Sequence, residues 1–193
     1  MDIFIKGNSK MGPKVLIFNL PPLTTCKPSE WCKKNCYALK GRHCWPSVKE
    51  SQQKRLELSK RPDFVQLAVA ELKRRRPQYV RLHSAGDFYS VEYAKKWLEI
   101  IKQCPEILFR TTTKRTDLGK VIRELDSLPN MIVRESLDPT RPKPSGLLPT
   151  TTMVIGTSVN AETYAKLFFC RDYCPACNYT CWKERISIKF LPL

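Results

Sequence analysis

From Tyr79 to Gly156, short apolar runs alternate with amphipathic stretches, and a chain with that rhythm builds parallel β–α–β units. Tyr79–His83 reads as a strand. Val91–Lys102 reads as a helix with Val91, Ala94, Trp97, Leu98 and Ile101 on one side. Ile107–Thr111 is the next strand, Asp117–Leu128 the next helix, and Met131–Arg134 and Met153–Gly156 two further strands. Between those last two, Asp138 to Pro149 holds four prolines, so an extended loop is expected.

The flanks extend the pattern. Val15–Asn19 is a buried strand halted by Pro21-Pro22. A short helix over Ser29–Leu39 closed by Gly41, a helix over Ser47–Lys60 and another from Pro62 to about Arg75 follow. Ala161–Phe169 reads as a short helix and Ile186–Phe190 as a final half-buried strand. One α/β domain spanning 1–193 is expected, built as a partial (β/α) barrel or a curved open parallel sheet, because about five parallel strands are too few to close eight-fold. Right-handed crossovers put ligand sites at the C-terminal strand ends. Those ends are polar here: His83-Ser84-Ala85-Gly86-Asp87, Thr111-Thr112-Thr113-Lys114, Arg134-Glu135-Ser136 and Gly156-Thr157-Ser158.

Eight of the nine cysteines form two groups, Cys26, Cys32, Cys36 and Cys44 in an N-terminal loop, and Cys170, Cys174, Cys177 and Cys181 near the C-terminus. The N-terminal residues hold no sustained apolar run of the secretory kind, and no stretch of 18 apolar residues occurs. A cytoplasmic setting is therefore expected, where clustered thiols bind metal or do redox chemistry rather than pair as disulfides. On a helix, Cys32 and Cys36 would share a face. The second group would span roughly 16 Å as a continuous helix, too long for one centre. Pro175 argues for a turn over Cys174–Cys177 that gathers the thiols instead. Only Cys174 and Cys177 form the short pair common in zinc sites, whereas tightly packed runs of four with aromatic shielding suit iron–sulfur ligation. One or two [4Fe–4S] clusters are expected, with zinc and unligated thiols as the alternatives. Trp31, Tyr37, Trp45, Tyr173, Tyr179 and Trp182 are the candidate shield. Cys104, ending an apolar helical face, reads as a core thiol.

The net charge of +16 points to a polyanion, most simply DNA or RNA. Thiolates offset part of that excess without removing it. Lys73, Arg74, Arg75 and Arg76 form the densest basic run, and Arg110, Lys114, Arg115 and Arg134 lie at strand ends, on the same edge as the first cysteine loop. Asp87, His83 and Lys114 are candidate catalytic residues: Asp87 as a base or as the holder of its own turn, His83 as a titrating or a satisfied histidine. No phosphate-binding glycine loop, nucleophilic serine motif or zinc-protease helix is present.

Asn19-Leu20-Pro21-Pro22 to Cys26, Cys32, Cys36-Tyr37-Ala38, Lys40-Gly41, Arg81 to Phe88 and Thr113-Lys114 together resemble the gene-product-88 family of phages and plasmids. The likeness covers most of the chain. It implies a mobile-element origin and no settled activity. A more distant likeness is to radical S-adenosylmethionine enzymes, which hold a cluster on three cysteines after the first strand of a partial barrel. That likeness implies a cluster on Cys26, Cys32 and Cys36 and a cofactor near Ser84, Gly86 and Asp87. The N-terminal spacing departs from C-x3-C-x2-C, which occurs only at Cys170-Cys174-Cys177, and a fourth ligand at Cys44 would close the site.

Overall fold

The computed structural model describes residues 2–154 and 167–190. Its centre is a mostly parallel open sheet of eight strands among those residues, in the order β1-β2-β3-β4-β5-β6-β8-β7. The strands are β1 (Ile5–Lys6), β2 (Val15–Phe18), β3 (Tyr79–Leu82), β4 (Leu108–Thr113), β5 (Met131–Leu137), β6 (Thr151–Val154), β7 (Phe168–Phe169) and β8 (Ile188–Phe190). Only β1, pairing with β2, is antiparallel. The helices are α1 (Glu30–Asn35), α2 (Pro46–Lys60), α3 (Phe64–Arg75), α4 (Val91–Lys102), α5 (Gly119–Asp126) and α6 (Thr180–Lys183).

From β2 to β6 each strand adds beside its predecessor, and α3, α4 and α5 pack on one face of the sheet. The pleat separates the two faces. Leu16, Phe18, Val80, Leu82, Phe109, Met131 and Val133 pack against α3, α4 and α5 in the main core. The alternate residues Val15, Ile17 and Tyr79 meet Tyr179, Cys181 and Trp182 on the opposite face. That second face is therefore covered by the cysteine-bearing segment linking β7 to β8. Gly12, at φ +75°, lets that segment close: a Cβ there would lie 2.8 Å from the Tyr179 hydroxyl and 2.9 Å from Pro175.

Boundaries differ from expectation in instructive ways. The first helix stops at Asn35 because Cys36 takes extended backbone, and two 3-10 turns, Tyr37–Leu39 and Gly41–Cys44, replace its second half. Strand β5 continues to Leu137, beyond the expected Arg134, because Glu135, Ser136 and Leu137 pair with β6. The expected strand end at Gly156-Thr157-Ser158 and the first part of the helix expected over Ala161–Phe169 lie outside the described residues. Phe168 and Phe169 form β7 instead, in register with Ile188 and Lys189. Cys104 is fully buried in the main core, as its apolar surroundings required. No described helix is long and apolar enough to cross a membrane.

Candidate metal centre and strand-end network

The first cysteine loop leaves β2 and is tied to the ends of β3, β4 and β5. Asn19 Oδ1 accepts from Ala85 N at 3.0 Å, and Leu20 N donates to the Ala85 carbonyl at 3.0 Å. Gly86, at φ +83°, makes this approach possible: a Cβ would sit 2.6 Å from Leu20 Cβ and 2.8 Å from Thr25 Oγ1. Asp87 then joins three segments. Its carboxylate accepts from Phe88 N at 2.8 Å, Thr113 Oγ1 at 2.7 Å and Lys114 N at 2.9 Å, while its own N–H reaches Thr25 Oγ1 at 3.4 Å. Burial pushes its pKa up to about 6 against those hydrogen bonds. Of the two roles expected for Asp87, the hydrogen bonds satisfy the one that holds the turn.

Lys114 extends the network. Its ammonium donates to Asp138 Oδ2 at 2.6 Å and to the Ser136 carbonyl and hydroxyl, each at 3.1 Å. The same Asp138 oxygen accepts from Ser29 Oγ at 2.5 Å, and Ser29 caps α1 by accepting from Cys32 N at 3.1 Å. Burial works against ionisation of Asp138, but hydrogen bonds from Lys114, Ser29 and Thr140 and the Lys114 charge together hold it below the usual carboxylate range. Lys114 is thus an internal ion-pair partner. Ser29 and Asp138 were missed from sequence because a helix cap and a proline-rich loop gave no reason to pair them.

On this scaffold Cys26 and Cys32 lie within electrostatic reach of neighbouring cysteines. The Cys26 thiol is pushed up to about 12 by burial first, then by the Asp87 charge and by Cys32 and Cys36. Cys32 is raised chiefly by burial, with Lys114 opposing and Cys36 adding. Cys44 is exposed, and its Sγ donates to the Leu39 carbonyl at 2.9 Å. In the second group, burial pushes Cys174 up to about 11, Arg110 pulls it down, and Cys181, Cys177 and Cys170 raise it again. Turns at Cys174–Cys177, with Asp172, Asn178 and Tyr179 in left-handed conformation, replace a helix there. All nine cysteines are free thiols. Among the described residues no three His, Cys, Asp or Glu side chains are grouped as ligands of a single metal ion. The donor set is nonetheless all sulfur at both places, half-buried, and mutually repelling when ionised; that chemistry fits a cationic, thiophilic centre.

Two guanidinium groups lie within electrostatic reach of both cysteine-bearing segments. Arg81 and Arg110 are register partners on β3 and β4, projecting from the sheet face covered by the C-terminal segment. Arg110 lies over the Trp182 ring at 4.2 Å. Arg134 is fully buried and donates to the carbonyls of Ile186, Cys181 and Glu184 at 2.8, 2.9 and 2.8 Å. It fastens the C-terminal cysteine segment to the sheet and offers nothing to a phosphate. Arg115 forms a fork with Asp117 and donates to the Phe88 carbonyl. Arg75 serves Phe4 and Glu71. Lys73, Arg74 and Arg76 are exposed at the end of α3, which leads into the start of β3 and hence lies at the edge opposite the first cysteine loop. Lys114, Arg115 and Arg134 thus turn inward as structural donors, while the helix-end run stays exposed at the opposite edge.

His83 is also internal. Its Nε2 is 2.8 Å from the Tyr93 hydroxyl, its Nδ1 has no partner, and Phe88 lies edge-on at 4.7 Å. Burial lowers its pKa to about 3. It takes φ +59°, turning the chain from β3 into the Gly86-Asp87 corner. Ser84 Oγ is buried without a partner beside it. Of the expected aromatic shield, Trp182 and Tyr179 are buried, while Trp45 and Tyr173 are exposed at 55% and 51%.

The chain matches Gene product 88 over residues 3–166, which takes in the first cysteine group and the whole strand-end network. It belongs to that family. The matched span ends before Cys170, so the second cysteine group and its aromatic cover lie outside it. No curated protein and no solved structure matches the chain. Within that span, Asn19, Gly86, Asp87, Thr113 and Lys114 brace the Cys26 loop against the strand ends.

Proposed function

We propose that this Gene product 88 chain is an iron–sulfur protein of a mobile element, its sheet curving as part of a barrel. The first cluster is held by Cys26, Cys32 and Cys36 at the strand-end edge. The second is held by Cys170, Cys174, Cys177 and Cys181 under Trp182 and Tyr179. A cluster sets its ligand sulfurs around a body several atoms across, so neighbouring thiols that do not converge on one point suit it better than zinc. The observation that carries the reading is the separation of Cys44 from the other three. Cys26 feels Cys32 and Cys36, and Cys32 feels Cys36, whereas Cys44 bonds to the Leu39 carbonyl on the surface. A cluster on three thiolates supplies, when bound, a redox-active iron with one position free for a substrate or for S-adenosylmethionine. Asp87, Lys114, Asp138 and Ser29 position the ligand loop, and His83 stays neutral behind it.

Nucleic acid is the proposed macromolecular partner. Trp45 is exposed beside Arg42, 5.8 Å from the guanidinium to the ring centroid, and Lys34, Lys40 and Lys49, nearby in the sequence, are exposed. An accessible indole among cations is the combination that stacks a base while neutralising its backbone. Trp45 immediately follows Cys44, so this surface borders the cluster loop.

Iron and sulfide in anaerobically reconstituted variants test the cluster assignment. Cys44→Ala is expected to keep the wild-type content, and Cys32→Ala to lose about half. Equal losses in both contradict the three-thiolate site. Trp45→Ala is expected to weaken single-strand binding by roughly 1–3 kcal/mol, with affinity falling steeply with salt. Binding unaffected by salt and by Trp45→Ala removes the nucleic-acid reading.

A further inference from the structure

We propose that Arg81 and Arg110 form a subsite for a small molecule bearing an oxyanion, a phosphate or a carboxylate, on the sheet face between the two cysteine groups. The two residues are direct register partners on adjacent parallel strands, and they project from the same face. Like charges placed opposite one another across strands are destabilising. Among the described residues no carboxylate pairs with either; only ionisable thiols, the Tyr37 phenol and the Trp182 ring reach them. The Arg81 side chain has no hydrogen bond or carboxylate there, and burial followed by the Arg110 charge lowers its pKa against the opposing pull of Tyr37, Cys174 and Cys181. Arg110 likewise has no carboxylate, and its Nε is buried without an acceptor.

Both arginines are half-buried, with an aromatic ring and the two cysteine segments as neighbours. Trp182 stacks on Arg110 and is itself pinned by Nε1 donating to the Val80 carbonyl at 3.1 Å. That stacking fixes the guanidinium plane and leaves its in-plane N–H groups free, the geometry that grips an oxyanion through two oxygens. Arg81 feels Tyr37 from the first cysteine loop and Cys174 and Cys181 from the second. Arg134 adds positive potential, but its donors are all engaged by backbone carbonyls. Two unengaged guanidiniums with one buried unpaired nitrogen therefore await an acceptor, and a single oxyanion bridging them would satisfy both. This subsite stands on arginine geometry alone and does not require either cluster.

Thermal unfolding of the full chain at constant ionic strength, with chloride replaced by phosphate, sulfate or acetate, tests it. Phosphate or acetate is expected to raise Tm saturably, on the order of 5 °C at a hundredfold excess over Kd. A response to phosphate and sulfate alone assigns a phosphoryl-type group; a response to acetate alone assigns a carboxylate. Arg81→Gln and Arg110→Gln are each expected to raise Tm in chloride, by removing the repulsion, and to abolish the anion response. Arg81→Lys keeps the charge without the fork, and is expected to leave the chloride Tm unchanged while weakening anion affinity about tenfold. A rise that never saturates and persists in all three variants is general salt stabilisation and overturns the subsite. So does an anion-insensitive wild type in which Arg110→Gln loses iron, because the arginines would then serve only the thiolates.

Discussion

Ser29 Oγ reaches Asp138 at 2.5 Å across 109 residues, which fixes the cap of the helix carrying Cys32 to the end of a central strand. Asp138 is almost fully buried and also pairs with Lys114 at 2.6 Å. Replacing it with Asn leaves the Lys114 charge without its counter-ion and weakens the hold on Ser29. Breaking a buried pair from one side costs about 3–5 kcal/mol. Asp138→Asn is expected to lower the urea midpoint accordingly and to speed thiol labelling of Cys32. A midpoint unchanged from wild type would show that the network does not brace the loop.

Gly86 meets Leu20 too closely for any side chain and sits at φ +83°. Gly86→Ala therefore combines left-handed strain with a steric clash, and about 1–3 kcal/mol of stability is expected to be lost from the strain alone. Denaturant titration reads this directly. The loss should be accompanied by faster labelling of Cys26, since Thr25 packs against the same glycine.

His83 makes the stability pH-dependent. Its folded pKa, about 3, lies below the ordinary histidine value of about 6.5 because burial disfavours the charged ring. Between those values the unfolded chain holds a proton that the folded chain does not. The contribution is thus complete above about 6.5 and is lost as pH falls towards 3, at up to about 1.4 kcal/mol per pH unit. His83→Asn tolerates the left-handed backbone and removes this titration. The stability gap between wild type and variant is expected to narrow on acidification from 7 to 4. A gap independent of pH contradicts the buried neutral ring.

Arg134 holds the C-terminal cysteine segment through three carbonyls. Arg134→Met keeps the bulk but leaves those carbonyls unpaired, each worth about 1–3 kcal/mol when buried. Limited proteolysis is expected to cut between Cys170 and Arg185 faster in the variant, with the rest of the sheet still resistant. Identical digestion of both proteins would mean that Trp182 and Tyr179 hold the segment unaided.

Periodicity made the sheet legible: α4 lies where its apolar stripe places it, and the strand ends expected to converge do so at Asn19, Asp87, Lys114 and Asp138. The sequence also signalled that Pro175 would break a helix. What it concealed was direction. A strand's alternation shows that Arg81, Arg110 and Arg134 share a side, but not that a segment some fifty residues later in the chain from Arg134 folds over it and takes up the Arg134 donors. Lys114 and Arg115 read as surface charge because their acceptors, Asp138 and the Phe88 carbonyl, are distant in sequence. The i, i+4 placement of Cys32 and Cys36 failed for a local reason: Cys36 leaves the helix and takes extended backbone.

The most direct test is the metal and acid-labile sulfide content of the full chain purified without oxygen. Iron and sulfide in equal amounts, with visible absorption bleached by dithionite, is the predicted result. Zinc without sulfide, or nine titratable thiols with no bound metal, would contradict the account.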